Sequence, residues 1–193
     1  MMRACRRVFF VIGLLAFAAP LVAAELPVQD RIREAIGLAE FQGVRYNQIW
    51  TPPNDLASLR MDCSNTAQWL TRRCLGTYLP RTASEQYEFL RSQHRLYNAP
   101  RNTETLHARL QPGDLLFWKN TYPPKRRPPI THVMVYVGSD AQGKMWMAGA
   151  QTSHGIGVYS FKPDAPMGGY RIFFGLIKIS GKFVAYGRPV QAR

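Results

Sequence analysis

Apolar positions recur at helical spacing in the first half of the chain and at strand spacing in the second. Between Asp30 and Phe41, Ile32, Ala35, Ile36 and Ala39 share a face with charged residues between them, which predicts an amphipathic helix. Gly43 to Arg60 follows neither period, carries Pro52-Pro53 and reads as a loop. From Asp62 to Leu75 the apolar face is Ala67, Leu70 and Cys74, with Asp62 suited to the N-cap and Gly76 to the C-terminal stop. Thr82-Ala83-Ser84-Glu85 has capping-box spacing and opens a further helix through about Arg95, with Tyr87 and Leu90 inward.

After that the pattern changes. Leu115–Trp118, Thr131–Val137, Lys144–Ala150, Ile156–Phe161, Tyr170–Ile179 and Phe183–Tyr186 are short β-branched or aromatic runs. Gly-containing turns separate several of them. Helices first and strands afterwards predict an α+β domain with a largely antiparallel sheet. No internal repeat or linker divides it.

Composition narrows the class. With 193 residues, 46% hydrophobic and 12% aromatic, the chain can bury a core and is neither disordered nor fibrous. Arg3, Arg6 and Arg7 precede an apolar run from Val8 to Ala18, Pro20 breaks it, and Val22-Ala23-Ala24 has small residues at cleavage positions. This pattern predicts a signal peptide over 1–24 and an exported single domain over 25–193, in the periplasm or outside the cell. Removing three arginines and no acid would lower the formal charge from +13 to +10. Such a charge favours an anionic cell-envelope polymer as partner. No basic helical stripe points to nucleic acid, and no stable membrane insertion is expected once the signal is cut.

Two cysteines remain, Cys63 and Cys74. On one helix, eleven residues place them near the same face but roughly 16 Å apart, beyond a disulfide's reach. Cys74, late on the apolar side, reads as core. Cys63 falls in the first helical turn, where free backbone N–H groups and the helix dipole favour thiolate, so a lowered pKa and a nucleophile are expected. A buried thiol is the plainer reading of Cys63 alone. A nucleophilic cysteine needs a base. His94 lies in a polar stretch near the end of a helix and His107 in a loop, so both read as solvated. His132 opens the strand His132-Val133-Met134-Val135-Tyr136-Val137, sharing a face with Met134 and Tyr136 while the three valines line the other. There is no His-Glu-x-x-His, no paired cysteine ligands and no Gly-rich phosphate loop, so neither metal nor cofactor is expected. Lys125-Arg126-Arg127, between two Pro-Pro pairs, forms a stiff cationic loop just before His132.

Asp62-Cys63-Ser64, Leu110-Gln111-Pro112-Gly113-Asp114-Leu115-Leu116-Phe117-Trp118 and His132 to Gly138 together resemble the NlpC family in order and spacing. The stretches Thr82 to Gln86 and Gly43-Val44-Arg45-Tyr46 are similar to its second helix and its approach to the cysteine. The resemblance spans about 43–158. It implies a papain-like fold, with the catalytic cysteine at a helix N-terminus packed on the sheet. It also implies a thiol peptidase of cell-wall peptides, with Cys63 as nucleophile, His132 as base and Tyr46 lining the cleft. The bond implied is the γ-D-glutamyl–diaminopimelate link of peptidoglycan. Asp62, Ser64, Lys125, Arg126 and Arg127 are the further candidates for substrate binding.

Three positions depart from the family pattern. Asn47-Gln48-Ile49-Trp50 stands where a Trp-Gly-Gly turn is usual, and Asn65 where a glycine follows Asp-Cys-Ser. The third polar residue, often His, meets Met147-Ala148-Gly149-Ala150-Gln151. Gln151 is the first side chain there able to accept from the imidazole, and counting back from Gly157-Val158 reaches the same position. His154, in a polar turn, is its rival. Two other readings stay open: another amide or ester hydrolase on the same dyad, cutting a muramoyl-alanine or lipid acyl bond, and a catalytically weak wall-binding protein.

Overall fold

The computed structural model describes residues 26–37, 45–46, 60–152 and 154–189. The expected signal peptide lies outside them. Four helices and ten strands follow in the order α1 (Val28–Gly37), β1 (Arg45–Tyr46), β2 (Arg60–Met61), α2 (Cys63–Leu75), α3 (Ala83–Ser92), β3 (Leu96–Asn98), α4 (Thr103–Arg109), β4 (Leu115–Lys119), β5 (Ile130–Ser139), β6 (Met145–Gln151), β7 (Gly155–Ser160), β8 (Gly169–Ile172), β9 (Ile177–Ser180) and β10 (Lys182–Gly187). The fold is α+β. Its main sheet is antiparallel, with strand order β3-β10-β4-β5-β6-β7.

This sheet has two covered faces. On one, Leu115, Phe117, Val133, Val135, Val137 and Ala148 pack against Leu70, Ala67 and Cys74 of α2, Ile32 and Ala35 of α1, and Leu90 of α3. On the other, Leu116, Trp118, Met134, Tyr136, Met147, Phe161 and Phe183 pack with Leu106 of α4 and Leu110. Central strands covered on both sides need apolar residues at every position, which is why β4 reads Leu-Leu-Phe-Trp without alternation.

Local chemistry sets the ends of α2. The Asp62 carboxylate accepts from the Asn65 N–H at 2.7 Å, and Gly76 leaves the helix at φ 68° with its N–H on the Arg72 carbonyl. In α3, Thr82 and Glu85 form the reciprocal capping box. The Pro112-Gly113-Asp114 turn is locked from its acid: buried Asp114 accepts from the Gln111 N–H at 2.8 Å and pairs with Arg188 at 2.9 Å. That bond ties the entry of β4 to the end of β10.

The structure corrects the elements in five places. α1 covers Val28–Gly37 rather than beginning at Asp30, and 38–41 lie outside the described residues. The expected loop 43–60 carries a short parallel ladder pairing Arg45 with Arg60 and Tyr46 with Met61; 47–59 lie outside the described residues. α3 ends at Ser92, where His94 turns to φ 55° and releases the chain into β3. α4, read as a loop, is a two-turn helix capped by Asn102. Tyr170–Ile179 is not one strand but the β8–β9 hairpin, a separate two-stranded sheet.

Candidate active site

Cys63 is the first residue of α2 and forms part of the wall of a cleft of about 560 Å³. Asp62, Ser64, Arg81, Tyr122, Lys125 and Arg126 also line it. Four contacts hold the first turn of α2 in place. Arg81 pairs with Asp62 at 2.6 Å and donates to Ser64 Oγ at 2.9 Å. Ser64 Oγ donates to Asp62 at 2.9 Å. Gln86, fully buried in α3, donates to the Ser64 carbonyl at 2.9 Å and to the Pro80 carbonyl at 3.0 Å. Asp62 and Ser64, expected as substrate contacts, thus line the cleft while also serving as cap and anchor.

The opposite wall is the cationic loop before β5. Ser84 Oγ donates to the carbonyls of Pro128 at 3.0 Å and Ile130 at 2.9 Å, and the Thr121 N–H donates to Thr131 Oγ1 at 2.9 Å. Lys125 and Arg126 reach the cleft, whereas Arg127 lines a neighbouring depression with Glu85 and Glu88.

His132 sits on β5 immediately before Val133, whose backbone N–H is near enough to Cys63 to favour its thiolate. The ring is buried, edge-on to Trp118 at a centroid distance of 5.9 Å, and does not line the cleft. Its Nε2 has no hydrogen-bond partner among the described residues.

Burial overrides the local effect of the helix terminus. The Cys63 thiol is pushed up to about 12 by desolvation and then by the Asp62 charge, against the N–H groups of Val133 and Ser64 and the Arg81 charge. The lowered value expected from helix position alone is not found. Burial pushes His132 down to about 4, opposed by Asp62. At neutral pH both groups are therefore neutral at rest, and a neutral thiol attacks a carbonyl only with concerted loss of its proton to a base.

The remaining candidates separate. The β5–β6 register pairs Val135 with Ala148, and carried three residues further it sets Gln151 across from His132 on the same face. Gln151 is partly buried at the end of β6, opposite Gly155. His154 is exposed in the following turn, its ring 6.0 Å from Tyr159. The backbone of Tyr46 pairs with Met61 just before Asp62, and its side chain lies outside the described part. Cys74 is a free, buried core thiol. Sequence reasoning missed Arg81 and Tyr122. Arg81 follows Pro80 next to the capping box, a weak local hint, and Tyr122 precedes Pro123-Pro124 with no signal of its own.

A model of the NlpC/P60 family matches residues 43–166. A Bacillus subtilis (strain 168) protein named gamma-DL-glutamyl hydrolase is 28% identical over 128 residues, which is 66% of this chain and 25% of that protein. The chain therefore spans about a quarter of that relative's length.

Proposed function

The chain belongs to the NlpC/P60 family of cell-wall peptidases, and from that premise we propose that it is an exported cysteine hydrolase of peptidoglycan stem peptides, cutting the γ-D-glutamyl–diaminopimelate amide. The observation that supports the reading is Cys63 as the first residue of α2 on the cleft wall, with the N–H of Val133, the residue after His132, favouring its thiolate.

In this mechanism His132 takes the Cys63 proton as sulfur attacks the amide carbonyl. The oxyanion forms at the N-terminus of α2. There the Asn65 N–H serves Asp62 and the Ser64 N–H serves sulfur, leaving the Cys63 N–H to donate. His132 then protonates the leaving amine, and water attacks the thioester by the reverse proton path, releasing the acid and restoring the thiol. A γ-D-glutamyl amide carries a free α-carboxylate near the scissile bond, and Lys125 and Arg126 supply positive charge to the cleft. Gln151, turned inward, would accept from the imidazole and fix its tilt.

The test is digestion of purified muropeptides, followed by mass spectrometry, with the wild-type chain and Cys63→Ala. New γ-D-glutamyl termini from the wild type alone support the reading; free muramoyl-lactyl termini would make the protein an amidase. The unpartnered Nε2 of His132 favours a second reading, a catalytically weak wall-binding protein, which predicts retention on insoluble wall with no new termini.

A further inference from the structure

We propose that the β8–β9 hairpin is a wedge that seats the protein on the surface of an anionic lipid bilayer. The hairpin lies beyond the residues matched by the family model. Its apex holds four exposed large apolar side chains: Phe173 (65%), Phe174 (108%), Leu176 (84%) and Ile177 (48%). Phe173 and Phe174 both adopt positive φ, 50° and 52°, where bulky residues are rare. Two aromatics are thus held outward at a tight turn, with Gly175 bonded back to the Ile172 carbonyl. Solvent gives such an apex no stabilisation.

Charge decides what the apex meets. Arg171 and Lys178 pair across the ladder one position behind Ile172 and Ile177, and both are exposed. The Arg171 guanidinium reaches forward to donate to the Gly175 carbonyl at 2.8 Å, while at about 3.3 Å per residue the backbones of both residues stand roughly 7 Å behind the apex. That is the depth at which cations reach headgroups when an apolar element enters the acyl boundary. From Ala165 to Arg193 the chain has no Asp or Glu, while Arg171, Lys178, Lys182, Arg188 and Arg193 are all basic. A second copy docked apex to apex would bring Arg171 and Lys178 against their counterparts with no acid on the hairpin to pair them. An anionic headgroup layer supplies what is missing. The hairpin root is tied to the body where the Gly169 N–H donates to the Thr121 carbonyl at 2.8 Å, next to the cationic wall of the cleft. No described helix is long and apolar enough to cross a membrane, so the contact proposed is peripheral.

The experiment uses the full chain carrying Leu176→Trp, with the wild-type chain as background. The vesicles are phosphatidylcholine with about one third phosphatidylglycerol, or phosphatidylcholine alone, both with brominated acyl chains. The proposal expects the added tryptophan to be quenched on the anionic vesicles. It also expects Phe174→Ser with Leu176→Ser, and separately Arg171→Gln with Lys178→Gln, to weaken cosedimentation by about tenfold each. Every sample keeps the same N-terminus, so the differences report the hairpin. If the serine variant fails to fold by circular dichroism, the quenching result decides. An unquenched tryptophan, equal quenching on both vesicles, or a lipid-free sedimentation coefficient that falls in the serine variant would overturn the proposal, the last by making the apex a contact between copies.

Discussion

Acidification is expected to weaken the fold measurably through His132. The imidazole is 7% exposed, and burial pushes its pKa down to about 4 from an ordinary 6.5. Between those values the unfolded chain binds a proton on this ring that the folded chain refuses. The unfolding free energy therefore falls as pH drops from 6.5 to about 4, and this contribution levels off below. At about 1.4 kcal/mol per pH unit, the interval sets a ceiling of about 3 kcal/mol, most of it lost by about pH 4.5. Urea unfolding of the wild type and His132→Gln at about pH 7.5 and 4.5 reads this directly, because all other groups titrate in both chains. The wild type should lose about 2 kcal/mol more than the variant between the two conditions. Equal losses would refute the claim that His132 is held neutral by burial. The same titration should govern turnover, since a protonated imidazole cannot accept the thiol proton, and kcat/KM should fall on an acid limb near 4.

Cys63→Ala should abolish hydrolysis while leaving the thermal transition within a few degrees of wild type. Cys63 and Cys74, pushed up to about 12 and about 11, should both react with iodoacetamide at neutral pH far more slowly than free cysteine. Arg81→Met leaves Asp62 without its cation; discounted for the partial exposure of both side chains, the loss should be about 2 kcal/mol, seen as a fall in Tm of about 4–8 °C. Asp62→Asn in the same chain should recover part of it, and a loss under about 0.5 kcal/mol would make the pair incidental. Neutralising Lys125, Arg126 and Arg127 should weaken binding to intact wall and flatten its salt dependence, and should raise KM for a small soluble γ-D-glutamyl peptide while kcat stays within about twofold. Gln151→Ala should lower kcat by about tenfold while His154→Ala stays near wild type; the reverse order would transfer the orienting role to His154.

What was legible in the chain was what is local. The caps of α2 and α3 and the apolar runs of the central strands are set by neighbours within a few residues, and they are where they were expected. The β1–β2 ladder has two residues per strand and offers no period. α4 buries only Leu106, too little to show a helical face. The β8–β9 turn was hidden because Phe173 and Phe174 occupy backbone positions where Gly or Asn would announce a turn. Among the candidate site residues, the place of Cys63 was legible because a helix start marks it, whereas β5 begins at Ile130, two residues before the expected start at His132. Arg81 reaches Asp62 across 19 positions, and Ser84 reaches Ile130 across 46; no spacing rule reports such contacts. The same distinction explains the thiol. The helix terminus that lowers a cysteine pKa is visible in sequence, whereas the desolvation that overrides it depends on packing against distant segments.

Apolar side chains surround His132 on its own face of the sheet. A Cβ on Gly149 would stand 2.7 Å from Met134 Sδ and 3.1 Å from its Cε, so the Met134 side chain lies directly over the Gly149 backbone. Met134 is two residues from His132 on β5 and fully buried. A side chain at 149 would therefore have to displace the Met134 thioether on this face. Ala148 and Ala150 face the opposite core, which leaves Gln151 as the polar residue of β6 on the imidazole's side. With Met134 and Trp118 beside it, the ring sits among apolar neighbours, and a charge on it costs what the low pKa implies. On the proposed mechanism that cost falls on the step that makes the imidazolium. Two things can offset it: the negative charge that develops on substrate oxygen at the end of α2, and a carbonyl from Gln151 turned toward Nε2. The resting site then holds no separated charge in the core, and the ion pair exists only while substrate is present to share it.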